Sequence, residues 1–192
     1  MKTFFFLILL SILTLSCVNA KKAGRPVSKQ SKIKPQKSRP KTDTKIIEKY
    51  GFKYSIPTNW QKTLSDFKVA DLQGHIKSIE SDYRLPDGKS RIKFIFHPGK
   101  SGLVLFNAYH QSKRKNLIHI NINGIPAVKL TETLKFDGKG HSLPQPVIRE
   151  KYWLLSPDKK ACLEIVADYP TENQDTAKTI NDFIKGIEPV KN

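Results

Sequence analysis

Only the part of this chain that follows residue 45 carries a pattern able to build a hydrophobic core. The chain begins with one cation, Lys2, and an apolar run from Phe4 to Leu15. This arrangement is typical of a secretory signal peptide, and the run is too short to cross a bilayer comfortably. We therefore expect residues 1–20 to be a signal peptide and the rest of the chain to function outside the cytoplasm.

Two processing sites are open at the end of this segment. A type I signal peptidase would cut after Ala20 and release a soluble protein. Alternatively, Leu15 and Ser16 before Cys17 form a relaxed bacterial lipobox, with Thr14 where the strict pattern has leucine. Lipidation of Cys17 would give a lasting membrane anchor, because each buried methylene contributes ~0.8 kcal/mol.

The segment that follows is strongly basic. Residues 21–45 hold ten Lys or Arg and one acid, Asp43, with prolines at 26, 35 and 40. Such a composition buries too little surface to offset an ordering entropy of ~1 to 2 kcal/mol per residue. We predict a disordered basic tether. It is either simply solvated or attracted to a polyanion such as anionic lipid or lipopolysaccharide. Nucleic acid is the least favoured polyanion, because a signal peptide separates the protein from the genome. The predicted polyanion-binding residues are Lys21, Lys22, Arg25, Lys29, Lys32, Lys34, Lys37, Arg39 and Lys41.

Residues 46–192 have the composition of a single globular domain, large enough for one core. Apolar and polar residues alternate over 52–57, which predicts a strand, and a short turn then leads to Trp60. We expect the Trp60 side chain to close one end of the core. Hairpins are predicted around Pro86-Asp87-Gly88 and Ser156-Pro157-Asp158, the second with Trp153 on its first strand.

Two helices are predicted in this domain. The first begins at Ser101 and has Lys113-Arg114-Lys115 in its last turn, where cations suit the helix dipole. The second opens with a capping box formed by Thr171 and Gln174. Residues 61–74 have a mixed pattern that allows a short helix. Hairpins that alternate irregularly with helices predict an α+β sandwich.

The residues Phe52 to Trp60 resemble the opening of PsbP-like domains, where an aromatic-x-aromatic-x-aliphatic-Pro strand leads to a tryptophan. The turn Asn123 to Ala127, which contains Gly124, is similar to a small-residue turn of that superfamily, and so is the final helix that ends near Ile187. This resemblance implies an α/β/α sandwich around a mainly antiparallel sheet, with Trp60 and Gly124 in structural roles. Trp153, on the last hairpin, is also predicted to be structural. Members include photosystem extrinsic subunits and DcrB-type bacterial envelope lipoproteins, which act mostly as binding or accessory proteins.

Catalytic motifs are not readable in the sequence. Gly99-Lys100-Ser101 lacks the first glycine of a phosphate-binding loop, since Phe94 stands at that position. The histidines show no metal-ligand spacing, and we expect them at the surface or at sheet edges. Cys162 is predicted to be a buried, inert thiol. We therefore predict no catalytic residue, no cofactor and no metal.

The sequence favours a non-enzymatic exported protein, tethered to a membrane as a lipoprotein at the cell envelope, with an accessory or binding role. Its expected partners are a membrane, reached through a lipid anchor or an anionic surface, and an envelope protein or polyanion. Two alternatives stay open. One is a small secreted or periplasmic hydrolase or ligand-binding enzyme, and the other is a freely secreted, basic, adhesin-like factor.

Overall fold

The computed structural model describes residues 43–136 and 140–190, so the predictions for the signal peptide, Cys17, Ala20 and the tether cations Lys21 to Lys41 lie outside the described residues. In those ranges the chain forms ten strands and two helices. The strands are β1 (Thr44–Lys49), β2 (Phe52–Pro57), β3 (Gln61–Ala70), β4 (Ile76–Arg84), β5 (Arg91–Pro98), β6 (Leu117–Ile122), β7 (Ile125–Phe136), β8 (Ser142–Leu155), β9 (Ala161–Pro170) and β10 (Glu188–Pro189). The helices are α1 (Gly99–His110) and α2 (Gln174–Lys185). Strand β1 begins two residues before the predicted start of the domain.

The strands form two sheets. Within the described residues, the main sheet has the order β3-β4-β5-β9-β8-β7-β6, and the small sheet has the order β1-β2-β10. Neighbouring strands are antiparallel in both sheets. Most neighbours in the main sheet are joined by hairpins, which require antiparallel pairing. The central strand β9 is buried between β5 and β8.

Both faces of the main sheet carry buried apolar side chains. Along β9, Cys162 packs with Phe106 of α1, whereas the next residue, Leu163, packs on the opposite face with the small sheet and α2. This alternation is the two-residue period of a strand. The molecule therefore has three layers, and the predicted α/β/α sandwich around a mainly antiparallel sheet is confirmed.

Helix α1 lies unusually close to the main sheet. A Cβ atom on Gly102 would lie 2.2 Å from the carbonyl oxygen of His97 and 2.6 Å from the backbone nitrogen of Cys162. Only glycine fits at this separation, because real Cβ atoms do not approach backbone atoms so closely. The contact fixes α1 over the end of the sheet where β5 finishes and β9 begins.

Several local predictions were wrong. Residues 61–70 form strand β3 and not a short helix, because pairing with β4 overrides a weak local pattern. Helix α1 begins at Gly99, after Pro98 at the N-cap position without a side-chain capping hydrogen bond, and not at Ser101. It ends at His110, so Lys113-Arg114-Lys115 lies beyond it, in the turn that leads to β6. Asn173, and not Thr171, caps α2, with its side chain accepting a hydrogen bond from the Thr176 amide.

The three residues predicted to be structural lie at separate junctions. Trp60 is 5% exposed and its ring centroid lies 5.2 Å from that of Phe183 on α2. Trp153 is fully buried and stacks on Tyr109 of α1 at 3.6 Å. Gly124 has φ +87° in the two-residue turn between β6 and β7. This conformation strains any residue with a side chain.

Candidate ligand-binding groove

Helix α1 covers only one end of its face of the main sheet. Following β9 from Cys162 beneath the helix, the side chains on this face continue through Glu164 and Val166 to Asp168. The apolar cluster under α1 therefore gives way to charged residues along the same strand. We call the part of this face beyond α1 the open half of the sheet, defined by Asp168 and its cross-strand neighbours.

A row of charged side chains crosses the open half. Direct cross-strand pairing links Arg84 to Arg91, Arg91 to Asp168, Asp168 to Arg149 and Arg149 to Glu132. Directly opposed residues share a face of the sheet, with their Cβ atoms ~4.5 to 5.5 Å apart. The strands β4, β5, β9, β8 and β7 thus bring together residues that are far apart in sequence.

Asp168 is the centre of this row. Its Oδ1 accepts a hydrogen bond from Arg149 Nε at 2.7 Å, and its Oδ2 accepts one from Arg149 Nη2 at 2.9 Å. Arg91 Nε donates a third hydrogen bond to Oδ2 at 3.0 Å. The Asp168 side chain is only 11% exposed, so it needs these partners to remain ionised.

The electrostatics of the row follow from this geometry. Burial alone would raise the pKa of Asp168, but the hydrogen bonds and positive charge of Arg149, followed by those of Arg91, outweigh burial and lower this pKa below its ordinary value. The hydrogen bond to Asp168 in turn raises the pKa of Arg149. Asp168 and Arg149 are therefore charged at neutral pH, and the carboxylate holds both guanidinium groups in place through hydrogen bonds.

A groove of about 430 Å³ lies beside this row. Its polar side is formed by Arg91, Arg149, Asp168 and Lys89, and its other side is apolar. The apolar lining residues are Leu134, Phe136, Leu143 and Val147. A second depression of about 470 Å³ shares Lys89, Leu143 and Val147 and adds Pro144, Gln145 and Pro170. These volumes lie in the range of small-molecule sites.

The groove combines fixed positive charge with accessible apolar surface. Three of its lining residues are cationic and one is anionic. The Arg91 side chain is 56% exposed although it donates to Asp168, and Phe136 is 58% exposed. Such a groove can hold a small ligand that has an anionic group at one end and an apolar body.

No local sequence pattern indicates this groove. Asp168 and Glu164 lie four residues apart on the same face of β9. The structure gives the two acids different partners, because Glu164 contacts His97 Nε2 at 3.1 Å while Asp168 binds the two arginines. The only available signal was the presence of charged residues on strands that are otherwise apolar. Their pairing depends on the register of three strands.

His97 and Cys162 are directly opposed on β5 and β9, and Glu164 contacts His97. The arrangement contains the residue types of a catalytic triad. The thiol is nevertheless fully buried beneath α1, as predicted, and burial together with the charge of Glu164 raises its pKa. A nucleophilic cysteine needs an accessible thiolate with a lowered pKa. Cys162 therefore acts as part of the core.

Neither helix in residues 43–136 and 140–190 is long and apolar enough to cross a membrane. The same ranges contain no group of three or more His, Cys, Asp or Glu side chains that could hold a metal ion.

No protein-family model matches the chain, and no curated protein matches it in sequence. In structure, the chain is similar to a protein from Bacteroides thetaiotaomicron, with a TM-score of 0.47 and 12% identity over 73% of this chain and 46% of that chain. It is also similar to cyanobacterial PsbP from Synechocystis, with a TM-score of 0.45 and 9% identity over 78% of this chain and 94% of that chain. A third similar structure is the Ran-binding protein Mog1p from Saccharomyces cerevisiae, with a TM-score of 0.40 and 10% identity over 78% of this chain and 97% of that chain. These TM-scores carry no inference about ligand or activity.

We predict that Asp168→Asn lowers the free energy of unfolding by about 2 kcal/mol at pH 7, because charge-assisted hydrogen bonds to two arginines are weakened. The folded-state pKa of Asp168 is lowered, so its contribution is present above the unfolded-state pKa and is lost as the pH falls through the folded-state pKa. The difference between wild type and variant should therefore shrink on acidification below about pH 4. Urea titrations from pH 7 to pH 2.5 measure it. Asp182→Asn, an exposed change on α2, is the control, and an Asp168→Asn effect that does not depend on pH would contradict the account.

Proposed function

We propose that this chain is an exported, non-enzymatic binding protein that takes an anionic amphiphile into the groove on the open half of the sheet. The observation that carries the proposal is the Arg91–Asp168–Arg149 row beside the apolar wall that includes Phe136 and Val147. The anionic group of the ligand would lie against the cations. Its apolar body would lie along the wall.

The fixed arginines favour binding of an anion. A guanidinium held by a carboxylate loses less side-chain freedom when it binds a second partner than a free one does. Arginine also presents several N–H donors in a planar fork that matches carboxylate and phosphate oxygens. The exposed cation Lys89 also lines the groove and adds a further positive charge.

The groove offers little for catalysis. Among its described lining residues, the one group able to accept a proton is Asp168. Its lowered pKa and its hydrogen bonds to two arginines make it a weak general base. A hydrolase would need a nucleophile or an activated water beside a base of suitable pKa. We therefore favour binding over the hydrolase alternative.

The proposed location of the protein is inferred from its sequence. The apolar run before Cys17 supports export, and lipidation of Cys17 would hold the protein at the cell envelope as a lipoprotein. The basic segment 21–45 and the chain's formal charge of +17 both favour an anionic membrane surface. An amphiphile-binding groove would be suitable for a protein at such a surface. A freely secreted, basic, adhesin-like factor is the alternative.

We predict that the anionic apolar dye 8-anilinonaphthalene-1-sulfonate binds the folded protein and that decanoate displaces it, whereas decanol and decyltrimethylammonium displace it poorly. Lys89→Glu should weaken dye binding about tenfold, because it places a like charge at the polar side. Fluorescence titration measures both effects.

The matched control for this titration is Lys178→Glu, the same charge reversal at an exposed position on α2. Equal loss of dye binding in the two variants would mean that only net charge matters. Equal displacement by decanoate and decanol would contradict the proposal that the groove selects an anionic group.

The anchor is tested separately in the native host. Cys17→Ser should move the protein from the membrane fraction to the aqueous fraction, because lipid transfer requires the thiol. Mass spectrometry of the native protein should show acylation at Cys17. An unmodified N-terminus at Lys21, with unchanged partition of Cys17→Ser, would instead favour the freely secreted form.

A further inference from the structure

In the described part of the chain, strand β6 forms one edge of the main sheet and carries none of the features that usually protect an edge strand. Its sequence Leu-Ile-His-Ile-Asn-Ile contains no charged residue, proline or glycine, and Ile118 is 55% exposed. It pairs with β7 in a continuous register. Exposed, regular, apolar edges are templates for the addition of another strand.

The opposite edge of the main sheet is different. Strand β3 carries Lys62 and Lys68, and three register shifts interrupt its pairing with β4. Charged side chains and bulges are the features by which proteins keep edge strands from pairing. Within residues 43–136 and 140–190, the β3 edge is thus protected, whereas no further strand pairs with the outer side of β6.

The turn between β6 and β7 determines which backbone groups face outward. Asn123 and Gly124 both have positive φ, which is the geometry of a two-residue hairpin turn. In such a hairpin Ile122 pairs with Ile125 through backbone hydrogen bonds, and the bonded pairs alternate along the strand. The N–H and C=O groups of His119 and Asn121 therefore point away from β7, toward the open edge.

Side-chain hydrogen bonds also tie this edge to both helices. The Asn123 side-chain amide donates to the carbonyl oxygens of Lys185 at 2.7 Å and Ile187 at 2.8 Å, which joins the turn to the end of α2. His119 Nε2 donates to the carbonyl oxygen of His110 at 2.9 Å, which joins the middle of β6 to the end of α1. A pre-ordered edge lowers the entropy lost when a strand is added.

The positive charge beside β6 favours an acidic partner. The exposed cations Lys113, Arg114 and Lys115 lie immediately before the strand. A second copy of this chain would bring another formal charge of +17, which opposes association, whereas an acidic segment would be attracted.

We propose that the open edge of β6 is a docking site for an extended acidic segment of a partner protein, added as a further antiparallel strand. Its backbone would pair with His119 and Asn121. In the antiparallel direction, the C-terminal end of the added strand lies beside Lys113-Arg114-Lys115. The recognised segment therefore alternates apolar and polar residues and then ends in acidic residues. This site does not depend on the groove.

The probe is a synthetic peptide with three Thr-Val repeats followed by three glutamates, titrated into isotopically labelled protein. We expect slower hydrogen exchange and shifted amide signals at His119 and Asn121. A peptide that ends in three lysines should not bind, and one with the glutamates at its N-terminus should bind more weakly. Lys113→Glu, Arg114→Glu and Lys115→Glu together should weaken binding about tenfold, because rim charges set electrostatic complementarity.

The matched control reverses three exposed cations elsewhere, with Lys159→Glu, Lys160→Glu and Lys178→Glu. Ile118→Asp is a second variant that changes an exposed side chain on β6 and should also weaken binding. Absence of acidic-peptide binding, signal changes away from β6, or equal losses in the two triple variants would overturn the proposal. A dimer in light scattering that Ile118→Asp dissociates would show that a second copy is the occupant, which would also overturn it.

Discussion

The hydrogen-bonded contact between Asp168 and its two arginines is the constraint on which the open half of the sheet depends. A nearly buried carboxylate is stable only with cationic partners, and Arg91 and Arg149 approach it from the strands on either side of β9. Correct register of β5, β9 and β8 is therefore required for the contact. The same contact fixes the cations that form the polar side of the groove.

The position of helix α1 leaves the open half of the sheet uncovered by this helix. Gly102 allows the helix to lie against the backbone of His97 and Cys162, and this contact fixes it at one end of the face. Beyond the helix, the open face carries the charged row. The long strand β7 connects the two proposed binding surfaces, since its first half pairs with β6 and its last residues, including Leu134 and Phe136, line the groove.

The features of this fold that depend on local sequence pattern could be predicted from the sequence. The hairpins around 86–88 and 156–158 and the α+β class follow from alternation and turn residues, and they were predicted. The α/β/α layering was expected from the resemblance to PsbP-like domains. The strand β3 was not predicted, because its side chains are largely exposed and only pairing with β4 defines it. The groove was not predicted either, because Arg91, Arg149 and Asp168 meet only through strand register, which no local pattern shows.

A crystal structure of the protein with decanoate would show directly whether the groove binds an anionic amphiphile. We expect electron density for one ligand molecule in the groove, with its carboxylate within hydrogen-bond distance of Arg91, Arg149 or Lys89. Its alkyl chain should lie against Leu134 and Val147. Density for decanoate elsewhere on the protein, or an alkyl chain in the groove with its carboxylate directed into solvent, would contradict the account.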